Sequence, residues 1–135
     1  MDPNIWGPHA WHFLHAITLT YPEKPTEQDK KNYSLFFHSL KNVLPCDKCK
    51  LNFRHHLIKY PLNHHILNSK MNLITWLINI HNEVNKLNLK PIKTLDEINN
   101  IFYDQYFYFH KSNKSIYFIS IIAIIIILFI LFKNK

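Results

Sequence analysis

A chain of 135 residues with a formal charge of +7 has room for one small domain, and its lysines are scattered with no dense basic run. That pattern argues against a nucleic-acid-binding surface; attraction to an anionic membrane face is the more economical use of the charge. The one glycine, Gly7, and the seven prolines fall between or at the edges of periodic segments, which predicts helices joined by short connections.

In chain order, a first helix is expected after Gly7-Pro8, with proline at an early helical position and a stripe of Ala10, Trp11, Leu14, Ile17 and Thr18. Tyr21-Pro22 ends it. The second begins at Thr26, where Thr26 and Asp29 resemble a capping box with the shorter acid. Its apolar face is Tyr33, Phe36, Phe37, Leu40, Val43 and Leu44, and Pro45 breaks it. The third carries Cys49, Phe53, Leu57 and Ile58 and ends near Tyr60-Pro61. The fourth, from about Asn72 to Leu89, shows Leu73, Leu77, Ile80, Val84 and Leu87. Thr94 and Glu97 cap a fifth segment bearing Leu95, Ile98, Ile101 and Phe102. Strand signals are weak throughout, so this part reads as an all-α bundle.

From Ile116 to Phe132 no residue is charged, and at 1.5 Å per residue these seventeen helical residues span roughly 26 Å, the short end of what crosses a bilayer core. Lys111 and Lys114 on one flank, and Lys133 and Lys135 on the other, suit both interfaces. The expected order is a domain over 1–110, a juxtamembrane segment over 111–115, a transmembrane helix over 116–132 and a basic tail over 133–135. Met1 to Trp6 has neither a basic start nor a long apolar stretch, so no cleavable signal peptide is expected. A single-pass, C-terminally anchored protein with its domain on the cytosolic side follows.

The only cysteines stand together in Pro45-Cys46-Asp47-Lys48-Cys49. With Pro45 stopping the helix before them, Cys46 falls at the start of the next, where the dipole and free amides stabilise a thiolate. Lys48, Lys50 and Arg54 add positive charge. A ring closed between positions i and i+3 does little for folding, so a structural staple explains the pair poorly. Zinc is the other reading, with two ligands from His55, His56, His64 or His65, but the adjacent histidine pairs lack finger spacing. A thioredoxin-like reading lacks the βαβ pattern. Downstream, His81-Asn82-Glu83-Val84-Asn85 puts His81, Asn85 and roughly Asn88 along one helical face. Such a face can hold core polar groups, or a flat hydrogen-bonding ligand. Trp11 and His15 offer a second aromatic wall, and Trp76 and His81 supply more ring surface.

At these residues the chain resembles the flavin-linked sulfhydryl oxidases of the ERV/ALR type, especially short viral members. The likeness covers about residues 4 to 106. It is carried by Trp6-Gly7-Pro8, Trp11 to His15, Tyr21-Pro22, Leu44 to Cys49, and His81 to Asn85 with Lys90-Pro91. It implies a four-helix bundle with a short fifth helix, holding FAD at its mouth, and a homodimer. It also implies that Cys46 exchanges with substrate thiols while Cys49 faces the flavin. Gly7, Pro8, Trp11, His15, Tyr21, Cys49, His81, Asn82, Val84, Asn85 and Lys90 match cofactor-binding positions; no metal ligand is implied. Asn88 stands where the family has leucine, and Pro8-His9-Ala10 where many members carry arginine.

Cellular members often add a shuttle dithiol, which two cysteines cannot supply. A dithiol protein must then reach Cys46 directly, or through a separate thioredoxin-like shuttle, with molecular oxygen as final acceptor. The first expectation is therefore a membrane-anchored, FAD-dependent thiol oxidase, at a host or virion membrane if viral. The alternative is a tail-anchored zinc-binding adaptor without catalytic activity.

Overall fold

The computed structural model describes residues 1–102, and beyond them only the isolated positions 122, 124, 125 and 132. The chain divides into two compact units, Met1–Ile98 and Asn99–Lys135. The first unit is built from α1 (Pro3–Leu19), α2 (Glu27–Val43), α3 (Asp47–Lys59), the one-turn α4 (His64–Leu67) and α5 (Lys70–Leu87). Helix resumes at 95 and continues through 102 as α6. Among the described residues there are helices and no strands. None of those helices is long and apolar enough to cross a membrane. Apart from the isolated positions, the expected span over 116–132 lies outside the described residues.

Local chemistry sets most boundaries. The Thr26 hydroxyl accepts the Asp29 N–H at 3.1 Å while the Asp29 carboxylate accepts the Thr26 N–H at 2.8 Å, a reciprocal box that starts α2. Thr94 and Glu97 repeat it at the start of α6, at 3.2 and 2.8 Å. The first helix departs from expectation. It starts at Pro3 rather than after Pro8, because the Asp2 carboxylate accepts the Asn4 N–H at 2.9 Å and Pro3 occupies the first helical position. Pro8 consequently lies inside α1. Proline crowds the Cβ of the residue before it in a helix, and Gly7 has none.

The main helix pairings are α1 with α5 and α2 with α3, with α4 against α5. Phe37, Leu73, Leu77 and Ile80 are fully buried at their centre, joined by Leu14, Phe53, Leu57 and Trp76. Three expected core residues instead face solvent: Val43 is 65%, Ile58 79% and Leu87 63% exposed. Each lies at or near the last residue of its helix, where no neighbouring helix covers it. His56 and Asn85 take buried positions on the same helices.

Candidate active site

Leu44 ends α2, and Pro45 turns the chain so that Cys46 sits in extended conformation as the N-cap of α3. The Cys49 N–H donates to Cys46 Sγ at 3.2 Å, and the two sulfurs are joined as a disulfide with Cα atoms 5.1 Å apart. Both residues are half-buried. Asp47, in the same turn, pairs with Lys50 at 2.9 Å, and that bond holds its carboxyl below the usual range. The Met1 ammonium donates to the Pro45 carbonyl at 3.3 Å, so the start of α1 lies beside the cysteine turn. A sulfur at this position meets a helix N-terminus with free amides and nearby cations, the surroundings that favour a thiolate.

A second cluster joins α1 to α5. Trp11 and His81 stack nearly parallel, 6° apart, with ring centroids at 4.0 Å. His15 Nε2 and His81 Nδ1 share a hydrogen bond of 2.9 Å. Burial, and then the neighbouring His12, push His15 down to about 4; burial, His15, Lys93 and Lys90 push His81 down to about 3. Both imidazoles are therefore neutral at physiological pH, one donating and one accepting.

The asparagines of the same motif brace the chain after α5. Asn82 Nδ2 donates to the Lys93 carbonyl at 2.9 Å and its Oδ1 accepts the Lys93 N–H at 2.7 Å. Asn85 Nδ2 donates to the Pro91 carbonyl at 2.9 Å. The helix end is a Schellman turn. The Lys90 N–H reaches the Asn85 carbonyl, the Leu89 N–H reaches that of Lys86, and Leu89 has a positive φ of 53°. Asn88 caps the helix and donates to the Val84 carbonyl at 2.8 Å, so it faces out of the ring cluster rather than into it. Exposed Lys90 and half-buried Lys93 are held near His81 by this turn.

The sequence pattern passed over Glu83, which lies between these residues. Its carboxylate meets Lys59 Nζ at 2.6 Å and Lys86 Nζ at 3.0 Å and accepts the Tyr60 hydroxyl at 3.1 Å. Those bonds, Lys59 first, hold it down to about 2. An acid inside a motif of amides was the available signal, but Lys59 and Tyr60 lie more than twenty residues away and only Lys86 is close in sequence. A cavity of about 310 Å³ opens nearby, lined by Lys59, Tyr60, Asn63, Trp76 and Asn79 among others, and by none of the ring-cluster residues.

Other expected site residues are placed differently. Trp76 belongs to the core: it is buried, meets Phe37 edge-on, and its indole N–H donates to the Tyr60 carbonyl at 2.9 Å. Tyr21 is 1% exposed and its hydroxyl donates to the Leu67 carbonyl at 2.7 Å, which ties the end of α1 to α4. Val84 is half-buried on α5, while Gly7 and Pro8 lie in α1 one turn before Trp11, with open space where a Cβ on Gly7 would project. Among the described residues no group of three or more His, Cys, Asp or Glu is placed to hold a metal ion. His56 is buried on α3; His55, His64 and His65 are exposed.

The donor set fits a large flat ligand with phosphates. Trp6 Nε1 and His15 Nδ1 are buried without a partner, a cost that a polar ligand lying along α1 would remove. Trp11 and His81 supply aromatic faces, and Lys90 and Lys93 supply cations for an anionic linker.

The Erv1/Alr family matches residues 8–105 of the chain. A protein of Acanthamoeba polyphaga mimivirus, named as a probable FAD-linked sulfhydryl oxidase, is 48% identical over 97 residues, which cover 72% of this chain and 68% of that one. The mitochondrial FAD-linked sulfhydryl oxidase of Saccharomyces cerevisiae is 31% identical over 67% of this chain, but the match spans only 46% of that relative's length. The solved FAD-binding domain of Erv1 from the same yeast superposes with a TM-score of 0.68 at 27% identity, over 74% of this chain and 92% of that one. The family match over residues 8–105, together with a helical fold shared with the FAD-binding domain, shows that this chain belongs to the Erv1/Alr family.

Proposed function

We propose that the protein is an FAD-linked sulfhydryl oxidase that forms disulfide bonds in protein dithiols. The observation that carries this reading is the disulfide between Cys46 and Cys49 in the first turn of α3, where Cys46 Sγ accepts the Cys49 N–H and a helix N-terminus favours a thiolate. A substrate thiolate attacks Cys46 Sγ, breaking its bond to Cys49 Sγ and forming a mixed disulfide. The substrate's second thiolate then attacks the substrate's own sulfur in the mixed disulfide, breaking its bond to Cys46 Sγ, which leaves as a thiolate. The substrate departs with a new disulfide, and its two electrons remain on the reduced pair Cys46 and Cys49. When bound, FAD supplies a two-electron acceptor that molecular oxygen re-oxidises, giving peroxide.

The chain's own residues bind and orient that group. Trp11, His15 and His81 offer it an aromatic wall with neutral imidazoles, and Lys90 offers its phosphates a cation. Gly7, Pro8, Tyr21, Asn82, Val84 and Asn85 shape the surrounding segments, the asparagines by holding the turn that presents Lys90. Cys49 is the sulfur assigned to the flavin side and Cys46 the one assigned to substrate. A substrate dithiol or a thioredoxin-like carrier is read as meeting Cys46 directly; Cys46 and Cys49 are the two cysteines of these 135 residues. The apolar run over 116–132 is read as a membrane span that keeps a homodimeric catalytic domain beside a cytosolic membrane face. The family match lends no support to the zinc-adaptor alternative.

Purified full-length protein in detergent should be yellow, with the flavin absorbance band, and should consume oxygen with dithiothreitol. Cys46→Ser and Cys49→Ser should each stay yellow and lose turnover. A colourless protein that takes up no FAD on incubation sinks the reading; turnover surviving in both variants removes the dithiol from the mechanism.

A further inference from the structure

The four long helices form two pairs, and the two halves of the chemistry fall on different pairs. α2 packs against α3, which carries the disulfide at its start; α1 packs against α5, and these carry Trp11, His15 and His81. A sulfur on one pair can meet a ring held by the other only if something fixes their spacing. Apolar packing does part of this, as where Phe37 of α2 meets Trp76 of α5 with ring centroids 5.0 Å apart.

At the far end of α3 the joint is polar. Lys59 is the last residue of α3 and Tyr60 its C-cap, and both bind Glu83 of α5, Lys59 Nζ at 2.6 Å and the Tyr60 hydroxyl at 3.1 Å. The Trp76 indole N–H adds a third tie from α5, to the Tyr60 carbonyl at 2.9 Å. The Glu83 side chain is 15% exposed but that of Lys59 is 57% exposed, so solvent screens the ion pair in part and the grip rests on Lys59 and Tyr60 together. Glu83 sits two residues after His81 and directly after Asn82, so the grip on α3 originates beside the residues assigned to the flavin.

We propose that Glu83 is a positioning residue. By gripping Lys59 and Tyr60 it fixes α3 along its axis, and so sets where Cys46 and Cys49 stand relative to the face of α1 and α5. This rests on the reading that FAD is held at that face. A helix of 13 residues is stiff, so a shift at Tyr60 reaches the cysteine turn largely undiminished. Misplacing reacting groups by about 1 Å can cost on the order of a hundredfold in rate.

Three substitutions test it in the full-length, FAD-loaded protein in detergent: Glu83→Gln, Lys59→Gln and Lys86→Gln. Lys86 also binds Glu83, at 3.0 Å, but it lies on α5 itself; its loss removes the same charge without releasing α3. Anaerobic bleaching of the flavin by dithiothreitol should slow about tenfold or more in Glu83→Gln and Lys59→Gln, and stay within about twofold in Lys86→Gln. Recolouring of the reduced protein by air, and FAD affinity, should change by less than about threefold in all three, because neither depends on α3 being in register. In the FAD-free protein, melting temperatures of Glu83→Gln, Lys59→Gln and their double variant should be non-additive. Unchanged bleaching in Glu83→Gln, or equal slowing in all three, overturns the proposal. Should Glu83→Gln fail to fold, Lys59→Gln against Lys86→Gln decides alone. A parent protein that binds no FAD would sink the functional reading, while additive melting temperatures would sink the clamp separately.

Discussion

Replacing Asn82 separates a brace from a cofactor contact. Its amide makes both hydrogen bonds available on the Lys93 backbone, at 2.9 and 2.7 Å, and so folds 88–93 back along α5. Asn82→Ala removes both. At about 0.5–1.5 kcal/mol net for each bond, the FAD-free protein should lose about 2 kcal/mol. For a domain of about 100 residues that is a fall of roughly 10 °C in melting temperature. Asn82→Asp keeps the acceptor for the Lys93 N–H but sets a carboxylate oxygen against the Lys93 carbonyl, so it should not recover the loss. FAD affinity should drop about tenfold as well, because the loosened turn must be ordered again on binding (about 1.4 kcal/mol). Thermal unfolding without FAD, with a flavin titration of the same samples, checks both numbers. An unchanged melting temperature together with collapsed FAD affinity would refute the brace and make Asn82 a direct contact.

Other outcomes follow from the same geometry. His15 and His81 are held at about 4 and about 3 against an ordinary 6.5, so as pH falls below 6.5 the unfolded chain takes up protons that the folded one refuses. Their stabilisation is complete above 6.5 and drains away toward 4 for His15 and toward 3 for His81, at up to about 1.4 kcal/mol per pH unit for His15 and less for the partly exposed His81. Urea midpoints that stay flat from about pH 7 to about pH 5 would contradict this. Leu89→Gly should stabilise the domain by about 0.5–1 kcal/mol, since the left-handed residue is strained and glycine's unfolded-state entropy offsets only part of the relief. Leu89 is 96% exposed, so little packing is lost; a lower melting temperature would show that its side chain has a partner. Tyr21→Phe orphans the Leu67 carbonyl and should cost about 1–2 kcal/mol with FAD affinity unchanged; lost affinity without lost stability would put the hydroxyl on the cofactor.

What was legible from the sequence was local. The Thr26–Asp29 and Thr94–Glu97 boxes and the break at Pro45 act over three or four residues, and the structure has them where the pattern put them. The core stripe of Leu73, Leu77 and Ile80 was equally readable from its period. Periodicity does not say which residues near a helix end keep a neighbour, so Val43, Ile58 and Leu87 fit the inward stripe and yet face out. A single turn such as α4, capped by Asn63, is too short to show a period at all. The Trp11–His81 stack and the Glu83 grip join residues far apart in the chain, and nothing in either segment announces its partner. The asparagines are legible as hydrogen-bonding groups, but their use on Pro91 and Lys93 depends on a turn made by Leu89, a residue type seldom found in that conformation.

The start of α3 and the redox pair share an atom: Cys46 Sγ is half of the disulfide and also the acceptor for the Cys49 amide. Reduction therefore does not strip the helix of its first side-chain hydrogen bond; the freed sulfur can keep it, more strongly if ionised. Serine, among the best residues for opening a helix, retains that bond without sulfur chemistry, whereas alanine forfeits both at about 1 kcal/mol. A serine variant at this position thus isolates electron transfer from folding, and an alanine variant mixes the two.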